Sequence, residues 1–177
     1  MQVELKVNDK TVQVEISEEQ AKILGLVEEK PKTGYESLGT GETYYLVDVD
    51  DEITTMKYNS RLDRDCYDVG NYYSDKVIAE NNARADRLLR QLRQWQAAND
   101  KPITKKDWED YSVTKYFIIY DYDSNVISPS RVWWMRGTNN IYFKSREKAE
   151  EAIEVFKDEL IWYFTEYVQR LDEVQNG

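Results

Sequence analysis

The chain has 177 residues, with 24 Lys and Arg against 34 Asp and Glu, and therefore a formal net charge of −10. This average charge disfavours binding to nucleic acid and to anionic membranes. The sequence holds no His and a single Cys, Cys66, which excludes His-dependent catalytic triads, Cys/His zinc sites and an internal disulfide. One cysteine suits a reducing compartment, so we expect the protein in the cytoplasm.

The sequence shows no pattern typical of a membrane-spanning segment or of a signal peptide. No apolar run approaches the roughly 20 residues that span a bilayer, and residues 1–10 are polar and alternating rather than patterned like a signal peptide. We therefore expect no membrane partner. Hydrophobic residues make up 41% of the chain, which is enough to form a folded core.

Apolar and polar residues alternate over residues 2–16, and this alternation predicts a β-hairpin. A two-residue turn at 8–9 would pair Leu5 with Val12 and place the apolar side chains on one face. The capping-box pattern at 17–20 predicts that a short helix follows the hairpin.

The rest of the chain has the pattern of one ββ(β)α module used twice. The predicted strands are rich in aromatic and β-branched residues, and they are residues 44–47, 53–58, 69–73, 116–119, 132–134 and 140–143. A helix follows each set, from about 75 to 96 and from about 146 to 171. At the strand-to-helix junction the copies align with an offset of 70, so that Tyr73 matches Phe143, and Asp75 matches Ser145 as an N-cap residue. Internal duplication and convergence of two similar junctions both explain this match.

The second helix is long for a small module. At about 26 residues and 1.5 Å per residue it would reach about 39 Å. We expect its far end to pack against a second copy of the chain, forming a homodimer.

These patterns together predict an α+β fold. Residues 1–30 form an N-terminal β-hairpin and short helix, residues 34–98 a first ββα module, and residues 112–177 a second. Two long helices cover the antiparallel sheet, and we expect one compact unit. The polar connection between the modules carries a capping signature at 104–107.

One acidic cluster follows the first strand of each module. The clusters are Asp48, Asp50, Asp51 and Glu52 in the first copy, and Asp121 and Asp123 in the second. Carboxylates at i and i+2 of a strand point to the same side, as a divalent metal site requires. The alternative is that they are solvated hairpin ends, because Asp favours turns and discourages edge aggregation.

A stripe of arginines opposes the overall charge of the chain. Over residues 84–93 there are four arginines against the single Asp86, and the four are Arg84, Arg87, Arg90 and Arg93. Arginines at this spacing on a helix can hold phosphates of nucleic acid or an acidic protein. They can equally pair with the acid-rich second helix or lie on a solvated face.

The chain has an excess of aromatic residues, with 14 Tyr and 5 Trp. Strands favour aromatics, so many of these belong to the core. Adjacent aromatics on a strand point to opposite faces, so one member of each pair is either covered or exposed. Exposed Tyr and Trp act as protein-interface anchors or as base-stacking platforms, and the candidates are Tyr72, Trp133 and Trp134.

Four segments resemble small accessory proteins of phages and prophages of Gram-positive bacteria. They are residues 32–36 (KTGYE), 67–76 (YDVGNYYSDK), 79–86 (AENNARAD) and 159–164 (ELIWYF). The resemblance covers the chain from about residue 32, and some similar proteins look like inhibitors of the type II-A CRISPR nuclease Cas9. The motifs are not catalytic signatures, so the resemblance transfers no functional residue.

We therefore expect a phage-encoded, non-enzymatic protein in the cytoplasm of the bacterial host. It would bind a defence nuclease, Cas9 with its guide RNA, and occlude or lock it without catalytic residues, metal or cofactor. The acidic clusters and exposed aromatics would contact the partner. One alternative is a nucleic-acid-binding phage accessory protein that uses the arginine stripe and aromatic platforms. Another is a metal-dependent hydrolase built on Asp48, Asp50, Asp121 and Asp123.

Overall fold

A computed structural model describes residues 2–7, 10–26, 31–59, 61–138 and 140–173. Within these residues the chain is α+β, as predicted, with three two-stranded antiparallel sheets and six α-helices. The strands are β1 (Gln2–Val7), β2 (Lys10–Glu15), β3 (Thr43–Val47), β4 (Ile53–Lys57), β5 (Lys115–Asp121) and β6 (Val126–Val132). The helices are α1 (Glu18–Ile23), α2 (Arg61–Asp68), α3 (Lys76–Asn99), α4 (Lys105–Glu109), α5 (Arg146–Val155) and α6 (Lys157–Thr165). None of these helices is both long and apolar enough to cross a bilayer.

The chain divides into two units, Met1–Thr33 and Gly34–Gly177. In the first unit β1 pairs with β2 in the predicted register, with Leu5 opposite Val12. The predicted turn at 8–9 lies outside the described residues. The capping box is confirmed, because Ser17 Oγ accepts from Gln20 N at 3.1 Å and Gln20 Oε1 accepts from Ser17 N at 3.0 Å.

The second unit contains two hairpins, β3–β4 and β5–β6, each extended by one residue of a third segment. Tyr45 and Tyr73 exchange both backbone hydrogen bonds, at 2.8 and 2.9 Å. Tyr116 and Phe143 do the same in the second hairpin, at 2.9 and 2.8 Å. The predicted third strand of each module is therefore a single bridge, and the bridging pairs occupy matching positions in the two modules.

The predicted N-caps start both helices. Asp75 accepts from the amides of Val77 and Ile78 at the start of α3, and Ser145 accepts from Lys148 at the start of α5. The apolar faces of α3, α5 and α6 then meet around the fully buried ring of Phe143. Burying a Phe side chain stabilises the fold by roughly 1.5–3 kcal/mol. This core contains Leu88, Leu92, Phe143, Ala149, Ala152, Ile153 and Leu160.

The predicted 26-residue second helix is wrong. The backbone leaves helical geometry at Phe156, which separates α5 from α6, and α6 ends at Thr165. The chain then folds back on α3, where the carbonyl of Val168 accepts from Asn81 Nδ2 at 3.0 Å. Val168 and Leu171 pack on the core of the first module, and a straight helix would forfeit this burial. The projecting end on which the homodimer was predicted is therefore absent from the described residues.

Two further elements differ from the prediction. β6 ends at Val132, so Trp133 and Trp134 follow the strand instead of belonging to it. α2 was not predicted, because its one buried side chain is Asp63 and it presents no buried apolar stripe. Asp63 instead accepts from the hydroxyl of Tyr44 at 2.7 Å and from the amide of Asn59 at 2.8 Å.

Gly34 lies at a close approach between the loop before β3 and α3. Its φ is +92°, and a Cβ at this position would lie 2.7 Å from Ile78 Cγ1. Gly41 has a similar φ of +90° but open space where a Cβ would stand. We predict that Gly41→Ala lowers the free energy of unfolding by about 1–2 kcal/mol, from backbone strain alone. Gly34→Ala should cost about 1–3 kcal/mol more, because α3 must move.

Chemical denaturation of both variants measures this difference. Equal losses for the two substitutions would show that Ile78 yields freely and that the close approach is unimportant.

Candidate functional site

The first acidic cluster organises its own turn. One carboxylate oxygen of Asp48 accepts from the amides of Asp50 at 2.9 Å and Glu52 at 3.0 Å, and the other accepts from the hydroxyl of Thr54 at 3.2 Å. These donors, the Glu52 amide first, hold the pKa of Asp48 below its ordinary value. Asp50 and Glu52 themselves point to solvent.

The second cluster behaves in the same way. Asp121 accepts from the hydroxyl of Ser124 at 2.7 Å and from the amide of Asp123 at 2.9 Å. The Ser124 hydroxyl is the main cause of a lowered pKa at Asp121, and Asp123 is exposed. Among the described residues no group of three or more acidic or Cys side chains could hold a metal ion. The hydrolase alternative therefore has no support from the positions of these residues.

The arginine stripe is engaged internally along most of its length. Arg84 donates from Nε and Nη2 to the two carboxylate oxygens of Glu159, at 2.9 and 3.0 Å. Its guanidinium also lies 3.9 Å from the ring centroid of Trp162. This pairing with α6 is the internal option that the sequence left open.

Arg87 and Arg90 both bind Asp51, a member of the first acidic cluster. Arg87 Nε lies 3.2 Å from one carboxylate oxygen, and Arg90 donates to both. The Arg90 guanidinium is the main cause of a lowered pKa at Asp51. One residue of the acidic cluster, Asp51, therefore pairs with two arginines of the stripe across the hairpin and α3. Arg93 makes no ion pair with any described residue.

Tyr72 belongs to the core, which corrects its prediction as a partner contact. Its side chain is 3% exposed, and its ring stacks on that of Tyr44 with centroids 4.3 Å apart. The Tyr72 hydroxyl accepts from the amide of Leu38 at 3.3 Å. Both the ring and the hydroxyl of Tyr72 are therefore engaged within the protein.

Two of the exposed aromatics, Tyr111 and Trp134, lie together beside the second hairpin. Trp134 is 60% exposed and Tyr111 is 70% exposed, and their rings are perpendicular with centroids 6.1 Å apart. Trp133 stacks on Trp134 at 5.9 Å, and Arg131 lies 5.4 Å from the Trp133 ring centroid. These aromatics form a continuous patch rather than scattered single residues.

Arg136 extends this patch towards α3 and α4. Its guanidinium lies 5.6 Å from the ring centroid of Trp108, and both residues line one cleft with Trp134 and a second with Arg93. Arg131 and Arg136, like Arg93, make no ion pair among the described residues. We name the whole patch the Trp–Arg surface, and its residues are Arg93, Trp108, Tyr111, Arg131, Trp133, Trp134 and Arg136.

The buried side chain of Lys115 contacts two tryptophans of the Trp–Arg surface. Lys115 is fully buried, and its ammonium donates to the carbonyl of Trp133 at 2.7 Å while lying 5.1 Å from the ring centroid of Trp108. A buried amine is costly unless such acceptors surround it. Because Tyr45 and Tyr116 occupy matching bridges, Lys115 matches Tyr44, so the two modules differ at this buried position.

Sequence reasoning singled out Trp133, Trp134 and Arg93 but not their neighbours. The segment 131–136 (RVWWMR) encloses two Trp between two Arg, and this pattern could have identified Arg131 and Arg136. Trp108 and Tyr111 lie in the connection between the modules, whose polar composition predicts no binding surface. Their position beside Trp134 depends on how α4 packs.

Asp51 should make stability depend on pH in the acid range. Its folded pKa lies below the ordinary value, so its contribution is complete above the unfolded pKa of about 4 and is lost as the pH falls through the lowered value. We predict that Asp51→Asn lowers the melting temperature at neutral pH, and that its difference from wild type shrinks at acid pH. Asn tolerates the φ of +63° at this position.

Asp50→Asn is the matched control, because it removes the same charge from an exposed neighbour. Melting curves from pH 7 downwards should show no comparable pH-dependent difference for this variant. A parallel loss in both variants would mean that net charge, and not the pairs with Arg87 and Arg90, sets the dependence.

Lys115→Met tests the support beneath the Trp–Arg surface. The substitution keeps an unbranched stem but leaves the Trp133 carbonyl without its donor, so we expect a loss of about 1–3 kcal/mol in the free energy of unfolding. Tryptophan emission should shift to the red as Trp108 and Trp133 gain solvent. Lys57→Met, at an exposed position of β4, should change stability by less than about 0.5 kcal/mol. Unchanged emission in Lys115→Met would remove the supporting role.

No family model, curated protein or solved structure matches the chain. The resemblance to phage accessory proteins therefore stays a prediction, and the candidate site is defined by its own geometry and charge.

Proposed function

We propose that this protein is a non-enzymatic binding protein that engages another protein through the Trp–Arg surface. The observation that carries the proposal is the exposure of Trp134 and Tyr111 against each other, beside arginines that make no ion pair with any described residue. Trp, Tyr and Arg are the residues most enriched at the energetic centres of protein interfaces. Leaving such a patch in water is unfavourable unless a partner covers it.

The proposed partner is a host defence nuclease, the CRISPR nuclease Cas9 with its guide RNA, and the protein is phage-encoded. This part of the proposal rests on the sequence resemblance and on charge. A protein of net charge −10 is attracted to the positively charged channels of a nucleic-acid-guided nuclease, which speeds encounter. Asp50, Glu52 and Asp123 remain exposed and are available for that attraction. Inhibition is then steric or conformational and needs no cofactor.

A cleavage-protection assay tests the proposal. Purified protein is added to the Cas9–guide complex before target DNA, and both the cleaved fraction and direct binding to the complex are measured. We expect binding at a stoichiometric ratio and protection of the DNA. If the complex neither binds the protein nor loses activity, Cas9 is not the partner.

Variants of the exposed aromatics test whether the Trp–Arg surface carries the binding. Trp134→Ala and Tyr111→Ala should each weaken binding to the captured partner by about 30-fold, the value of a 2 kcal/mol interface anchor. Tyr122→Ala is the matched control, since Tyr122 is also 70% exposed but lies in the β5–β6 turn. Equal losses in all three variants, or none, would contradict the assignment of this surface.

The nucleic-acid alternative is tested with the same variants. An exposed Trp beside arginine is also a stacking platform for unpaired bases. Binding to single-stranded DNA or RNA that falls steeply with salt and is lost in Trp134→Ala would favour that alternative. No measurable binding at low salt would remove it.

A further inference from the structure

At the α3 edge of the Trp–Arg surface lies a cleft of about 350 Å³. Its lining includes Arg93 and Gln96 from α3, Trp108 from α4, and Arg136, Asn140 and Tyr142 from the segment after β6. Two arginine side chains therefore line one small space that has an aromatic wall. We infer that this cleft is a carboxylate pocket, which binds an Asp or Glu side chain in an acidic segment of the partner protein; the inference rests on the proposed function.

The cleft holds two positively charged side chains, Arg93 and Arg136. Like charges in one cleft repel each other, and an anion between them removes that cost. The carboxylates carried by the same elements do not serve, because they are engaged elsewhere. Asp107 on α4 pairs with Lys144 at 2.7 Å, and Asp100 at the end of α3 accepts from the backbone amide of Lys144 at 2.6 Å. The missing anion is thus expected from outside the chain.

The geometry of the cleft favours a planar anion. Arg136 lies over the Trp108 ring, with its guanidinium carbon 5.6 Å from the ring centroid. A guanidinium over an aromatic face keeps N–H donors available for a carboxylate. The Trp108 wall is held perpendicular to Tyr142, with ring centroids 4.9 Å apart. Asn140 Nδ2 lies 3.3 Å from the Tyr142 hydroxyl. The pocket is therefore formed before its ligand arrives, which lowers the entropic cost of binding.

The charge outside the cleft favours a protein segment over nucleic acid. A polyanion would bring further phosphates to a chain whose net charge is −10, and it is therefore repelled on average. A peptide presents one or two carboxylates to the two arginines and no more. An apolar side chain next to the carboxylate in the peptide would contact Ile103 and Trp134 in the adjoining cleft. The ligand we expect is therefore Asp or Glu next to an aromatic or aliphatic residue.

The test uses a synthetic peptide, acetylated and amidated, in which Glu alternates with Phe. Binding to the full chain is followed by tryptophan fluorescence and by NMR of the indole and guanidinium groups. We expect the Gln-for-Glu peptide to bind at least about tenfold more weakly, as the loss of a charge-assisted hydrogen bond implies. Arg93→Gln and Arg136→Gln should each produce a loss of similar size for the acidic peptide.

Arg146→Gln is the control for net charge. It removes the same charge from α5, where Arg146 pairs with Glu150 at 2.8 Å, and it should leave peptide binding unchanged. The inference is overturned if this variant weakens binding as much as Arg93→Gln does. It is also overturned if the neutral peptide binds equally well, if neither peptide binds at millimolar concentration, or if oligothymidine binds more tightly than the acidic peptide.

The two proposals can fail separately. If the Arg93→Gln, Arg136→Gln double variant still binds the partner at full affinity while Trp134→Ala does not, the carboxylate pocket fails and the proposed function stands. If the acidic peptide binds at the arginines but the nuclease complex is neither bound nor inhibited, the pocket stands and the proposed partner fails.

Discussion

The second unit of this protein depends on one interaction used twice, the backbone bridge between the first strand of a hairpin and a residue two positions before the N-cap of a main helix. Tyr73 and Phe143 make this bridge with Tyr45 and Tyr116, and their side chains enter the core below α3 and α5. Tyr73 and Phe143 thus connect their hairpins to the N-cap residues and helices that follow them in the chain. Because each bridge sets where its helix starts, it also sets which helical residues reach the hairpin turns and the neighbouring helix.

The distribution of charge follows from that arrangement. α3 passes the β3–β4 turn and α6, so Arg87 and Arg90 meet Asp51 and Arg84 meets Glu159. Exposed ion pairs of this kind contribute little to stability, yet they remove most of the positive stripe from the surface. Among the described residues Arg61 and Arg64 on α2 make no ion pair, and neither do Arg93, Arg131 and Arg136, which lie beside Trp108, Trp133 and Trp134. The local charge there is opposite to that of the whole chain.

The two modules share a framework but differ where the Trp–Arg surface is built. Tyr44 in the first module stacks on Tyr72 and donates to the buried Asp63, which holds α2 over the hairpin. Lys115 at the matching position donates to the Trp133 carbonyl and contacts Trp108. At this position the first module has a helical cover, whereas the second has a turn in which Trp133 is half-buried and Trp134 is exposed.

The sequence by itself determined the local features of the fold. The hairpin register of Leu5 and Val12, both capping boxes, the N-caps Asp75 and Ser145 and the α+β class were all predicted, because they depend on contacts within a few residues or on simple periodicity. Tertiary structure decided the rest. The break at Phe156, the core position of Tyr72 and the pairing of Asp51 with Arg90 depend on residues distant in sequence. So does the candidate site, because Trp108 and Tyr111 reach the segment 131–136 through packing that no local pattern encodes.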